Sequence, residues 1–198
     1  MIHPALVQLY SNSPHKPKEI WISDVVYCLR RAFFSYLLPL QKQFNDAQLA
    51  GIFIHRLIQD QLSKEGFEIE KRVEYDLGEG WKLVGRIDAW CDDTVIEIKT
   101  VKGQIQEIPP YWIDQANVYA YLSETPKLKL IVVDKTTGHF EEYIYDVDED
   151  RAIDVIKKAE HVKDCIINRT LPDGRMDWCK KYCGYSVICF NILKEKTE

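Results

Sequence analysis

Asp88, Glu97 and Lys99 interrupt the two apolar runs of the stretch VGRIDAWCDDTVIEIKT, residues 84–100. The stretch is typical of two strands joined by a turn at residues 92–93, and such a hairpin brings Asp88 and Glu97 roughly opposite each other. Facing carboxylates repel unless a cation lies between them, and hard cations such as Mg²⁺ bind carboxylate oxygens. Lys99 shares a strand face with Glu97, because strand side chains alternate. The set predicts metal-assisted phosphodiester cleavage, in which the lysine holds or activates the attacking water.

Two predicted helices carry further residues for such a site. His55 ends the segment GIFIH in the helix before the strands, and neutral imidazole is a good ligand for Mn²⁺. Gln115 and Tyr119 share one face of the helix after the E-x-K strand, because they lie four residues apart. They would place an amide and a phenol beside a phosphate.

Each of these features has a simpler interpretation when it is taken alone. An isolated E-x-K triplet is more often a solvated strand face, here with Asp88 paired to Arg86. A single histidine on an apolar helix face is more often a core residue than a ligand. The Gln–Tyr pair alone would be a surface or packing contact. The order and spacing of all four features favour the metal site.

In this order and at these intervals, the motifs G-x-x-x-H, G-R-I-D, E-I-K and Q-x-x-x-Y resemble the RecB-type nucleases of the PD-(D/E)xK superfamily. The resemblance implies a site for Mn²⁺ or Mg²⁺ with three side-chain ligands and one backbone carbonyl: His55, Asp88, Glu97 and the carbonyl of Ile98. It also implies that Lys99 is the catalytic lysine. By the same resemblance, Gln115 and Tyr119 position the substrate near the metal.

Four of the six cysteines lie towards the two ends of the chain. Cys179, Cys183 and Cys189 form the pattern C-x3-C-x5-C, and Cys28 precedes them in the first predicted helix. Cysteines in a cytosolic chain favour metal ligation or burial over disulfides. Four thiolates can hold an iron–sulfur cluster or a structural Zn²⁺ ion, and both alternatives stay open on spacing alone.

One early cysteine, central nuclease motifs and three late cysteines resemble the iron–sulfur nucleases of the RecB-like group, above all the fourth CRISPR-associated protein family. The resemblance covers almost the whole chain. It implies an iron–sulfur cluster, [4Fe–4S] rather than [2Fe–2S], on Cys28, Cys179, Cys183 and Cys189. One departure concerns the register of Cys179, because the family pattern is C-x2-C-x5-C and the first interval here is three residues.

The family resemblance also implies an activity and partners. It predicts an exonuclease that digests single-stranded DNA or overhangs from 5′ to 3′ and trims spacer precursors in CRISPR adaptation, beside the integrase proteins. Two alternatives remain. One is a viral or DNA-repair nuclease of the same design outside CRISPR. The other is a non-catalytic DNA-binding scaffold, against which the complete His-Asp-Glu-Lys set argues.

The composition fits these expectations without proving them. The chain has 198 residues, of which 46% are hydrophobic and 29% charged, as in one globular domain. The net charge of −5 means that a DNA partner would need a local basic groove. The start of the chain does not resemble a signal peptide, and no apolar run reaches the length of a membrane span. We therefore predict a cytoplasmic protein with no membrane association.

The pattern of apolar residues predicts an α/β fold, a PD-(D/E)xK core in which helices flank a mixed sheet. One domain spans residues 1–198, and residues 21–38 and 170–198 together form the cluster-binding element. An irregular or partly helical lead-in is expected first, followed by a helix that Ser23 caps and that runs to about residue 38. The remaining expected elements are helices at 47–65, 111–124 and 148–168, strands at 67–77, 81–91 and 94–101, a hairpin at 127–147 and a loop-like tail from 169.

Overall fold

The computed structural model describes residues 16–40, 45–174, 179 and 183–192. Its elements in chain order are β1 (Glu19–Trp21), α1 (Ile22–Tyr27), α2 (Leu29–Leu37), α3 (Asp46–Lys64), β2 (Glu68–Gly78), β3 (Trp81–Cys91), β4 (Thr94–Val101), α4 (Pro110–Leu122), β5 (Lys127–Asp134), β6 (Phe140–Asp146), α5 (Glu149–Asn168) and a π-helical turn, Ile188–Ile192. No helix in this part of the chain is long and apolar enough to cross a membrane.

The strands form one mixed sheet with β3 at its centre. Along one edge, β3 pairs antiparallel with β2. Along the other edge, its start pairs parallel with β1 and its end pairs antiparallel with β4. The sheet continues through a parallel β4–β5 pair and an antiparallel β5–β6 pair. The predicted mixed sheet is therefore confirmed, with a gap in pairing at residues 85–88 of β3 between β1 and β4.

Helices cover both faces of this sheet. The larger core lies on one face, where buried residues of α1, α2, α4 and α5 pack on the strands; Ile22, Val118 and Val155 are among them. A smaller core on the other face joins α3 to β3, β4 and β5 through Leu62, Ile98 and their neighbours. The prediction that helices flank the sheet on both sides is confirmed. Helix α3 packs on the second face.

Local sequence explains where the helices beside the site begin. Asn45 and Gln48 form a reciprocal capping box at the start of α3. Pro110 occupies the first turn of α4, where its missing amide hydrogen costs nothing. The Asp148 side chain accepts from the Arg151 amide and caps α5. The predicted helices at 47–65, 111–124 and 148–168 thus appear at nearly the predicted bounds.

The prediction for the N-terminal helix is wrong in two respects. The helix starts at Ile22 after Trp21, so Ser23 is not its cap. At Cys28 the backbone is extended, with φ −173° and ψ 127°, and this divides the predicted helix into α1 and α2. No proline or glycine marks the break. The interruption is a tertiary feature, and it lies at the residue that lines a cavity with three other cysteines.

Two further corrections concern the ends of the chain. Strand β1, Glu19–Trp21, begins within the predicted irregular lead-in, the first twenty residues, because its backbone pairs with residues 82–84 of β3. A strand of three residues is too short to show an alternating pattern in the sequence, and its parallel partner lies about sixty residues later. The predicted loop-like tail contains a π-helical turn at Ile188–Ile192.

Candidate active site

The two strands of the G-R-I-D and E-I-K motifs separate at the predicted carboxylates. The register pairs Cys91 with Thr94 and Ala89 with Ile96, so the next step places Asp88 opposite Glu97. There the ladder ends. One carboxylate oxygen of Asp88 instead accepts the backbone N–H of Ile98 at 2.8 Å. A side chain thus replaces a backbone partner, and β3 and β4 stop pairing at the two carboxylates. We call this point of separation the cleft.

Glu97 is the buried centre of a hydrogen-bond network. Its side chain is only 5% exposed. Its Oε1 atom accepts from Lys99 Nζ at 2.7 Å and from Gln115 Nε2 at 2.9 Å. Its Oε2 atom is buried and has no hydrogen-bond partner. Because a buried carboxylate oxygen without a donor is costly, this atom is chemically suited to a cation.

Helix α4 supplies the amide and the phenol of the network. Gln115 Nε2 donates also to the Tyr119 hydroxyl at 3.0 Å, and Gln115 Oε1 accepts from Lys99 Nζ at 3.0 Å. The Tyr119 ring lies against Gly85, where an added Cβ would approach the ring to 2.3 Å. Glycine in the G-R-I-D motif therefore makes room for Tyr119 in the gap between β1 and β4.

Helix α3 brings His55 to the cleft from the other face of the sheet. At Gly51 the helix is so close to β4 that an added Cβ would lie 2.6 Å from Thr100 Oγ1. One turn later, His55 Nδ1 lies 3.7 Å from Asp88 Oδ2. Burial lowers the pKa of His55. The imidazole is therefore neutral at pH 7, the form that binds metals.

The two carboxyl groups are strongly perturbed. Burial raises the pKa of Asp88 to about 6, although the N–H of Ile98 opposes the rise. Burial also raises the pKa of Glu97 to about 7; Lys99 opposes this shift and the nearby Asp88 adds to it. The raised pKa values mean that two neighbouring carboxylate charges are unfavourable in the metal-free protein. A divalent cation between them would stabilise the ionised forms.

The donor set fits Mn²⁺ or Mg²⁺ in its chemistry. It comprises two carboxylates, one neutral imidazole and the backbone of Ile98, and the unpartnered Oε2 of Glu97 is the atom that most needs a cation. In the described residues, however, no three His, Cys, Asp or Glu side chains already surround one metal position. The roles predicted for these residues as ligands therefore stay predictions.

The four predicted cluster cysteines line one small cavity. Tyr27, Arg31 and Tyr185 contribute to the same lining. The structure thus brings together Cys28, Cys179, Cys183 and Cys189 from the two ends of the chain. Burial raises the pKa of the Cys189 thiol, with Arg30 opposing it. All six cysteines lack disulfides.

The unusual C-x3-C interval has a structural counterpart. The amide of Cys183 donates to the carbonyl of Cys179 at 2.9 Å, which is an i to i+4 hydrogen bond. This bond holds the backbones of the two cysteines close together. The three-residue interval therefore suits two thiols that line the same cavity. The identity of the group on these thiols stays a prediction.

Sequence reasoning gave no role at the site to Gln59 or Glu70, and it considered Arg86 only as a partner of Asp88. Gln59 donates to Glu70 Oε1 at 2.7 Å and to the backbone carbonyl of Asp88 at 3.2 Å. Arg86 forms an ion pair with Glu70. The only signal available in the sequence was the spacing of Gly51, His55 and Gln59, each one helical turn from the next.

Comparisons with solved structures support the fold. The fold is similar to the crystal structure of SSO0001, with a TM-score of 0.75 and 24% identity over 94% of this chain and 92% of that one. It is also similar to LHK-Exo, an alkaline exonuclease from Laribacter hongkongensis solved with dAMP, with a TM-score of 0.58 and 14% identity over 76% and 88% of the chains. The chain therefore has an exonuclease-like α/β fold.

Comparison of sequence is more specific. No protein-family model matches the chain. A curated protein, the CRISPR-associated exonuclease Cas4 of Saccharolobus solfataricus, is 28% identical over 183 residues, which cover 86% of each chain. This similarity supports the CRISPR-associated Cas4 family, the one that the motifs and the cysteines resemble.

Proposed function

We propose that this chain is a CRISPR-associated DNA exonuclease that depends on Mn²⁺ or Mg²⁺ and carries an iron–sulfur cluster. The observation that carries the nuclease proposal is the network around Glu97. One buried oxygen of this carboxylate holds Lys99 and Gln115, and the other has no hydrogen-bond partner. The similarity to the Saccharolobus exonuclease supports the CRISPR context.

Four groups would hold the metal: His55, Asp88, Glu97 and the carbonyl of Ile98. When bound, the cation supplies Lewis acidity to the scissile phosphate and neutralises the charge that develops there. Asp88 is kept in place by the Ile98 amide, which donates to its Oδ2 atom at 2.8 Å. His55 stays neutral because it is buried, and so keeps a lone pair for ligation.

Lys99 acts on water and phosphate rather than on the metal. Its ammonium is fixed by Glu97 and Gln115, at 2.7 and 3.0 Å, and its side chain is only 18% exposed. A positioned ammonium orients the attacking water and stabilises negative charge in the transition state. Gln115 is held by Tyr119 and holds Lys99 in turn, which gives both residues a positioning role beside the substrate.

The proposed substrate is single-stranded DNA or an overhang, digested from 5′ to 3′. The proposed biological role is the trimming of spacer precursors with the CRISPR integrase proteins. These finer statements rest on the family resemblance. Digestion of strands labelled separately at the 5′ and 3′ ends, with duplexes as a comparison, tests substrate and polarity.

The nuclease proposal is tested with anaerobically purified protein, labelled single strands and Mn²⁺. Wild type should cleave, EDTA should stop cleavage, and Lys99→Ala should lower the rate by at least about a hundredfold, as expected for removal of a charge-stabilising group. Lys158→Ala is the matched control, because Lys158 is an exposed lysine paired with Asp154 on α5. Binding of DNA without cleavage by wild type would instead favour the scaffold.

A further inference from the structure

One face of α3 carries three residues spaced a single helical turn apart: Gly51, His55 and Gln59. Gly51 sets the distance between α3 and β4 through its close approach to Thr100. Gln59 contacts β3 through the carbonyl of Asp88. His55 therefore lies between two points at which the helix is fixed to the two diverging strands.

The side-chain amide of Gln59 is buried, and its nitrogen donates to two groups beside the site. Its residue is 4% exposed. Its Nε2 atom donates to the carbonyl of Asp88 at 3.2 Å and to Glu70 Oε1 at 2.7 Å. A buried amide that lost these acceptors would be costly, so Gln59 resists displacement. The helix that carries His55 is thereby tied to the residue that carries the facing carboxylate.

Glu70 occupies an unusual backbone conformation within β2. Its φ is +59°, in the left-handed region that glycine and asparagine favour. The pairs Ile69–Ala89 and Lys71–Ile87 flank it, so Glu70 lies opposite Asp88. Backbone strain of this kind persists where surrounding structure requires it. Here the side chain accepts from Gln59 and pairs with Arg86, contacts that a glycine would lack.

We propose that Glu70 and Gln59 are positioning residues that hold His55 of α3 at Asp88 of β3, and thereby set the affinity of the site for a divalent cation. The inference rests on the proposed function, in which His55 and Asp88 are ligands. Neither positioning residue needs to touch metal or substrate. Their bonds join helix to strand beside the ligand pair, as residues behind metal ligands do in other metalloproteins.

The substitution Glu70→Gly separates positioning from a structural role. Glycine adopts the positive φ readily and thus relieves backbone strain, while the bridge between Gln59 and Arg86 is lost. We expect the affinity for Mn²⁺, measured by calorimetry, to fall about tenfold or more. The melting temperature of the metal-free protein should stay within a few degrees of wild type, because the relieved strain offsets the lost hydrogen bond and ion pair. The matched control is Glu79→Gly, because Glu79 also has a positive φ, 56°, in the exposed turn after β2.

A second pair of variants tests the same proposal from the helix. Gln59→Leu keeps a buried side chain of similar size and removes both hydrogen bonds, so Mn²⁺ affinity should fall and added Mn²⁺ should restore cleavage. Gln61→Leu is its control, because Gln61 is exposed and its side chain donates to Glu65 on the same helix, away from the site. Wild-type affinity in both Glu70→Gly and Gln59→Leu overturns the inference, as does a loss of affinity that follows only a loss of folded protein. A wild-type protein that binds no Mn²⁺ overturns the proposed function as well.

Discussion

At the scale of residues, Glu97 has two oxygens in different situations. Oε1 accepts from Lys99 and Gln115, which fixes the carboxylate and the ammonium together. Oε2 is buried without a donor. The hydrogen bonds of Oε1 therefore fix the site in place, and Oε2 is available to bind a cation. A side chain that served stability alone would leave neither oxygen unpartnered.

The raised pKa values give a testable pH dependence in the metal-free protein. The pKa of Glu97 is raised from 4.5 to about 7. A carboxyl group whose pKa is higher in the folded chain adds stability while it is protonated, and this stability is lost as pH rises through the folded pKa. We expect the melting temperature of EDTA-treated protein to fall as pH rises through about 7 and to level off above about pH 8, where Glu97 is ionised in both the folded and the unfolded chain.

The substitution Glu97→Gln identifies the group responsible, because glutamine is neutral throughout. The variant should show a weaker fall in melting temperature over the same range and should not cleave DNA. Glu160→Gln, at an exposed position of α5, should keep the full fall. A wild-type melting temperature that rises with pH in this range would contradict the shift.

At the scale of elements, the position of α3 on the sheet depends on one missing methyl group. An added Cβ at Gly51 would lie 2.6 Å from Thr100 Oγ1 but 3.7 Å from Thr100 Cβ, which is ordinary contact. The obstacle is therefore the hydroxyl of the threonine and not the strand itself. Glycine in the G-x-x-x-H motif is explained by this approach, which also brings the next turn, with His55, to the cleft.

This geometry predicts a double-mutant cycle. Gly51→Ala alone should displace α3, lower the affinity for Mn²⁺ and destabilise the protein by about 1–3 kcal/mol, as overpacking does. Gly51→Ala combined with Thr100→Ala should recover both, because the clashing hydroxyl is gone and alanine favours helix over glycine by about 1 kcal/mol. Urea unfolding and calorimetry measure the two effects. Strictly additive changes would contradict the contact.

At the scale of the whole molecule, the cysteine cavity joins the two ends of the chain. Cys28 lies between α1 and α2, and Cys179, Cys183 and Cys189 come from the last twenty residues. The carboxylate cleft lies elsewhere, between β3 and β4, and shares none of the residues that line the cavity. A group bound to the thiols would therefore stabilise the fold without taking part in cleavage.

The substitution Cys28→Ser tests this division. We expect it to abolish visible absorption and bound iron in anaerobically purified protein and to lower the melting temperature by several degrees, since a ligand bound only in the folded state is lost. The folded fraction should still bind Mn²⁺. Cys91→Ser, at the last residue of β3, should leave the spectrum unchanged. If wild-type protein is colourless and binds one zinc ion, the cluster proposal is wrong and the thiols hold Zn²⁺ instead.

Much of the site was predictable because it depends on local geometry. The alternation of side chains along β4 put Glu97 and Lys99 on one face, and the turn at residues 92–93 set the register that opposes Glu97 to Asp88. Gln115 and Tyr119 share a helix face by spacing alone, and the structure joins them by a hydrogen bond. Each of these relations spans fewer than a dozen residues.

The rest required partners that are distant in sequence. The break of the first helix at Cys28 is favoured by no local residue, and β1 exists because β3 accepts it sixty residues later. Gln59 and Glu70 look like ordinary surface residues in the sequence, and only packing of α3 on β3 brings them together. The sequence by itself determined the types, order and faces of the chemical groups, since these follow from backbone periodicity. The tertiary structure alone decided which groups meet in the cleft and in the cysteine cavity, because contacts between distant segments depend on how the whole core packs.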